Sequence, residues 1–261
     1  MKIFRVVFFT IAMVVAFAFL DELVFLAQWQ QDFLAGSIFY IWAFVLVGRV
    51  SDVVQLSRLQ FSTSTFVLVL LLIIVGISCY TLQTEVLHWN WLEDDTVYPS
   101  YQHGWVFLSD LLLAVVLAPV VEEVFFRRWM FGVVTKKLNQ PVGMVLVAIA
   151  FALLHGDVFG AFIFSIVMSL MYRCSGSLAL PIAMHALHNG LLIILQWSID
   201  MTFMPDPEPA VIRFVGDYPF VLAAILAVAL VLLGLLTKFT LRNVNDWPAK
   251  KPLDEAKALM I

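Results

Sequence analysis

Charge is what this chain has least of. Asp, Glu, Lys and Arg make up 13% of its 261 residues, about half of the roughly 25% with which a soluble domain covers its surface. That shortage excludes a water-facing globular protein, and no nucleic-acid partner is expected. Cysteine is just as scarce. Cys79 and Cys174 are the only two, and the topology below puts them at opposite membrane faces, which excludes a disulfide and leaves both as packing residues. Internal repeats and low-complexity tracts are absent too, so the chain is neither a solenoid nor a linker.

Hydrophobic residues fill the space that charge leaves. They make up 62% of the chain, with 23 Phe and 8 Trp, the latter suited to anchoring at a membrane interface. Apolar stretches lie near residues 3–20, 34–48, 64–82, 105–121, 141–155, 159–172, 177–197 and 218–237. A straight helix needs about 20 residues to cross the hydrocarbon. The stretches at 34–48, 141–155 and 159–172 are shorter, but neighbouring residues can extend each of them. The expected fold class is all-α: one polytopic transmembrane bundle of about eight helices over residues 1–261. Lys2 and Arg5 before Ala16-Phe17-Ala18 also fit a signal peptide; the segment works equally well as a first helix.

Basic residues orient the bundle. With the N-terminus in the cytoplasm, Lys2, Arg5, Arg49, Arg58, Arg127, Arg128, Lys136, Lys137 and Arg173 fall inside. Lys238, Arg242, Lys250, Lys251 and Lys257 join them, which makes 14 of the 15 basic residues, with Arg213 outside. This is the asymmetry of the positive-inside rule, and it puts both termini in the cytoplasm. The setting expected is a bacterial plasma membrane.

Ionisable groups inside such a bundle carry the functional information. Each costs at least ~2.5–3.5 kcal/mol to insert and is a functional hypothesis by default. Asp110, Glu122 and Glu123 lie in or beside the fourth span, His155 in the fifth, and His185, His188 and Asn189 in the seventh. Glu122 and Glu123 project about 100° apart on a helix and cannot serve one partner. Glu123 and Arg127 stand at i,i+4, the spacing of an ion pair along one face, which frees Glu122 to face a cavity, though the two roles can be exchanged. Each residue taken singly also has a structural reading. The carboxylates can be an ion-pair network, and a lone histidine can be a helix–helix hydrogen bonder. His188 and Asp110 keep that reading.

Depth brings the rest together. If the fourth helix runs to about Lys137, and the fifth and seventh start near Pro141 and Arg173, then Glu122, His155, His185 and Asn189 all lie roughly 15–25 Å from the inner helix ends at 1.5 Å per residue. A fourth helix ending near Arg128 would leave Glu122 too shallow to meet His155. The constellation therefore requires a long fourth helix, with Pro119 as the place for a bend.

Three short motifs coincide with these positions: Glu122-Glu123-Val-Phe-Phe-Arg127, Phe151-Ala-Leu-Leu-His155 and His185-Ala-Leu-His-Asn189. In this order they resemble the signature of the CPBP family, the CAAX prenyl-endopeptidase and bacteriocin-processing intramembrane proteases, with which the abortive-infection proteins are grouped. The resemblance covers roughly residues 105–195, the expected catalytic core. It implies an eight-helix bundle that cleaves a peptide bond of a membrane-associated or prenylated substrate near the cytoplasmic face. It also implies roles. Glu122 would activate water with His155 orienting it, His185 and Asn189 would stabilise the oxyanion, and Glu123 and Arg127 would support the first motif.

A divalent metal such as zinc stays open alongside a metal-free mechanism. Glu122, His155 and His185 could supply three ligands and leave a position for water, but no His-Glu-x-x-His motif is present, and the expectation leans to no metal. Two other classes compete. An ion-coupled transporter would also place Glu, His and Asp in the membrane, but the chain lacks the paired broken helices of inverted repeats. A catalytically silent scaffold or immunity protein would not need every signature position filled. Substrate identity and oligomeric state are not written in the sequence.

Overall fold

A computed structural model describes residues 28–47, 62–89, 104–203 and 219–245. These residues form seven helices with no strand among them: α1 (Gln28–Val47), α2 (Thr63–Thr81, prolonged by a wide turn at Leu82–Val86), α3 (104–135), α4 (Gln140–Ala152), α5 (Val158–Ser175), α6 (Ala179–Phe203) and α7 (Pro219–Asn245). They correspond to seven of the eight expected spans. The first, near 3–20, lies outside the described residues. Three helices are long and apolar enough to cross a membrane, and residues 33–45, 140–152 and 179–195 form shorter apolar helices.

Helix ends follow the local sequence. Ser62 caps α2 by accepting the Thr65 N–H, Asn139 caps α4 through the Val142 N–H with Pro141 in the first turn, and Asp157 caps α5 through the Gly160 N–H. Each side-chain oxygen satisfies an amide that the helix itself cannot. Gly176 ends α5 in the left-handed region at φ 63°, a conformation costly for residues with a Cβ. The hydroxyls of Thr81, Thr84 and Thr135 turn back onto the carbonyls four residues earlier.

The fourth expected span is the long helix the constellation requires. α3 runs without a break from 104 to 135, but Leu112–Leu117 and Val124–Met130 are wound as π-helix. In the first of these the Ala118 N–H bonds the Leu113 carbonyl, five residues back. Pro119 follows at once, and its ring nitrogen has no hydrogen to continue the α ladder. Short wide-turn segments of this kind are frequent at functional sites.

One sequence expectation is corrected. The fifth span was expected to carry His155 inside a helix over 141–155. α4 instead ends at Ala152, and His155 stands in the turn that leads to the Asp157 cap. The cause is local: Gly156 and Asp157 follow, and the cap of the next helix claims the chain before another turn of α4 can form.

A single large cluster of buried apolar side chains ties α2, α4, α5 and α6, with Leu68, Phe151, Met168 and Met184 fully or almost fully buried. Large apolar residues also point outward, among them Ile77, Val145, Val231 and Leu235. On a soluble protein an apolar surface of this extent would be a liability; on a transmembrane bundle it is the face that lipid covers. This chain is a multi-pass membrane protein. Cys79 and Cys174 are not joined by a disulfide.

Candidate active site

Glu122 and Glu123 follow Pro119 on α3 and diverge as adjacent helical residues must. Glu123 is fully buried, with Oε2 3.0 Å from Nε of the equally buried Arg127 and Oε1 2.8 Å from Nδ1 of His185 on α6. Arg127 also donates to the Ser165 hydroxyl on α5 at 3.2 Å, and its guanidinium carbon lies 4.7 Å from the centre of the Phe151 ring. The structure distinguishes the two carboxylates: Glu123 pairs with Arg127, and Glu122 is left to face the histidines. Arg127, which the charge count put at the cytoplasmic surface, is inside the bundle because Glu123 holds it there.

Glu122 faces the histidines. Its Oε2 lies 3.9 Å from Nε2 of His155 and 4.0 Å from Nε2 of His185. Its Oε1 accepts a hydrogen bond from the Tyr40 hydroxyl on α1 at 3.1 Å. Oε2 itself is buried and has no hydrogen-bond partner among the described residues.

The two imidazoles are held in the same tautomer. His155 Nδ1 is 2.7 Å from the Phe151 carbonyl, one of the carbonyls left over at the end of α4. A carbonyl only accepts, so Nδ1 carries the hydrogen. The His155 ring stacks on Phe151 with centroids 4.2 Å apart, which explains why the phenylalanine and histidine are spaced by four residues. His185 Nδ1 faces the Glu123 carboxylate and donates for the same reason. Both Nε2 atoms are thus left with lone pairs beside Glu122 Oε2. Three acceptors around one point have nothing to offer one another. The spot suits a molecule that brings hydrogens, and water is the smallest.

The same three groups have the composition of a catalytic zinc site, with ligand atoms spaced somewhat wider than around a bound ion. A tetrahedral ion with bonds of about 2.0–2.2 Å places its ligand atoms about 3.4 Å apart, and both nitrogens lie farther than that from Oε2. No three His, Cys, Asp or Glu side chains among the described residues form a metal-holding group.

Asn189 is engaged one turn beyond His185. Its side-chain N–H donates to the Ala114 carbonyl of α3 at 2.8 Å, and its second hydrogen is uncommitted. His188 packs against Phe164 at 4.8 Å between centroids with Nδ1 3.4 Å from Asn189 Oδ1, in keeping with a structural reading. Thus Glu122, His155 and His185 converge, Glu123 and Arg127 brace them, and Asn189 ties α6 to α3. Two residues had no sequence signal. Tyr40 stands 82 positions before Glu122 in an aromatic-rich span. Gln83 is a lone amide at the end of α2 whose Nε2 donates to the Gly156 carbonyl at 2.8 Å and whose Oε1 accepts the Val158 N–H at 3.1 Å.

Comparison with known proteins points the same way as the geometry. Residues 104–191 match a family described as type II CAAX prenyl endopeptidase, Rce1-like. One segment is 31% identical over 93 residues to the membrane-embedded CAAX protease MroQ of Staphylococcus aureus (strain USA300), covering 31% of this chain and 36% of that protein. The chain thus spans about a third of the length of that relative. No solved structure matches it.

Proposed function

We propose that this chain, whose residues 104–191 match the Rce1-like CAAX prenyl endopeptidase family, is an intramembrane protease of the CPBP family that hydrolyses a peptide bond of a membrane-associated peptide or protein with water activated by Glu122. The observation that carries this reading is the acceptor-only focus formed by Glu122 Oε2 and the two Nε2 atoms at 3.9 and 4.0 Å. A water placed there donates one hydrogen to Glu122 and the other to His155, which leaves an oxygen lone pair directed at a substrate carbonyl.

Each proton has a place to go. Glu122 takes one from the water as its oxygen adds to the carbonyl carbon. When the tetrahedral intermediate collapses, the C–N bond breaks and the amine leaves with that proton. His185 Nε2, turned to the same point by the Nδ1 bond to Glu123 at 2.8 Å, helps to hold the water. The uncommitted N–H of Asn189 stabilises the oxyanion, a contribution of about 2.7–4 kcal/mol for a well-placed donor. The mechanism is metal-independent in this proposal, so activity should persist after exhaustive chelation; loss that zinc restores would overturn that part.

The decisive experiment compares protein termini in membranes of cells making the wild-type chain or Glu122→Gln at matched levels. New termini seen only with the wild type are expected, and they would name the substrates, prenylated or not. Identical termini in both, with substrate flux in proteoliposomes that depends on Glu122, would replace the protease with a transporter.

A further inference from the structure

Two grooves open on the outer surface of the bundle. One, between α2 and α7, is lined by apolar side chains alone, and nothing distinguishes its occupant from bulk lipid tails. The other, between α5 and α7, is different. It is a shallow, open trough of about 540 Å³ that runs along Leu170, Leu233 and Gly234 and ends at Thr237, Lys238 and Arg242. That volume lies within the roughly 300–1,000 Å³ typical of small-ligand clefts.

Three observations define what fits there. Lys238 and Arg242 are exposed at its mouth and form no ion pair among the described residues. Thr237 is buried to 7% exposure, and its hydroxyl has no hydrogen-bond partner. Thr240, further along the same helix, is likewise buried and without a partner among the described residues, whereas Thr81, Thr84 and Thr135 satisfy their hydroxyls on the preceding turn. Finally, a Cβ added at Gly234 would meet nothing within 4 Å, so the trough is open at that point.

We propose that this groove is a binding site for one anionic phospholipid. An acyl chain lies along Leu170, Leu233 and Gly234, and the phosphate sits at Lys238 and Arg242, where it accepts the orphan Thr237 hydroxyl. An apolar trough ending in two cations and a spare hydroxyl is complementary to a lipid with a net negative head. It is poorly matched to a wholly apolar partner, which would strand all three polar groups. The lipid would brace α7 against α5, the helix that also carries Ser165 beneath Arg127.

Native mass spectrometry of the full-length purified chain, titrated with phosphatidylglycerol or phosphatidylcholine, tests this. Phosphatidylglycerol should bind more tightly. K238Q/R242Q should weaken it by about fivefold for each charge removed and weaken phosphatidylcholine, whose head is neutral overall, much less. Gly234→Leu, which the open space should accommodate without unfolding, should weaken both lipids by filling the trough. Equal affinity of the wild type for the two lipids would overturn the proposal. So would unchanged phosphatidylglycerol binding in both variants. Displacement of the lipid by inorganic phosphate would assign the mouth to a free anion instead, and a dimer mass abolished by Gly234→Leu would assign the groove to a second copy.

Discussion

Asn189 on α6 donates its side-chain amide to the Ala114 carbonyl on α3 over 2.8 Å. The α-helical donor for that carbonyl would be the Ala118 N–H, which bonds Leu113 instead. The next residue is Pro119, which has no N–H to give. The proline and the wide turn before it thus leave a half-buried acceptor in α3, and Asn189 fills it. The bond fixes the helix carrying His185 to the turn just before Glu122, so the third motif acts on the geometry of the first.

Asn189→Ala should therefore do more than remove an oxyanion donor. The Ala114 carbonyl is half-buried, and losing its hydrogen bond costs about 0.5–1.5 kcal/mol. Unfolding of the reconstituted protein should show a loss of that order alongside the loss of turnover. Asn189→Asp, which sets acceptor against acceptor, should be less stable still. Stability equal to wild type in both variants would confine Asn189 to the substrate side and refute the tie to Ala114.

The two neighbouring carboxylates should separate stability from activity. Glu123→Gln strips the buried Arg127 of its charge partner, and breaking a buried pair in this way costs about 3–5 kcal/mol. Glu122→Gln keeps an oxygen for the Tyr40 hydroxyl and disturbs no ion pair with Arg127. It should unfold like the wild type while turnover falls by about 10²–10⁴, the scale of a lost general base. Parallel thermal unfolding and cleavage assays decide the point. An active Glu122→Gln, or a Glu123→Gln as stable as wild type, would reverse the two roles.

Tyr40 should act through Glu122 alone. Tyr40→Phe removes the 3.1 Å bond to Oε1 and little else. A hydrogen bond of about 0.5–1.5 kcal/mol predicts that kcat falls roughly two- to twelvefold with KM unchanged. A change confined to KM would mean that the hydroxyl contacts substrate rather than the base.

Much of this arrangement can be read from the sequence, for identifiable reasons. Spans are legible because lipid exposure forces apolar composition, and the Glu123–Arg127 pair because helical spacing is fixed. The length of α3 follows only from requiring Glu122 and His155 to share a depth, and the structure meets that requirement. Three things stay hidden. The wide turns of α3 leave no trace beyond Pro119. The end of α4 before His155 depends on whether Asp157 caps the next helix or extends this one, which the apolar pattern does not register. Tyr40 and Gln83 reach the site through tertiary packing, where one polar group in an apolar span looks like any other.

Gln83 supplies the last test. It is almost completely buried and grips both sides of the turn that carries His155, donating to the Gly156 carbonyl and accepting the Val158 N–H. One side chain thereby satisfies two backbone groups that neither α4 nor α5 can reach, and without it the turn is held by the Asp157 cap and the His155 bond to Phe151. Gln83→Leu fills the same space and makes neither bond. Hydrogen exchange at residues 153–158 should then quicken while exchange in α2 stays slow, and kcat should fall as His155 loses its fixed position beside Glu122. Gln83→Glu separates the two halves of the grip, because a carboxylate still accepts from Val158 but cannot donate to Gly156. It should give an intermediate exchange rate and an intermediate kcat. If exchange quickens in Gln83→Leu while turnover is untouched, the turn is held for stability alone, and the orientation of His155 comes from its stack on Phe151.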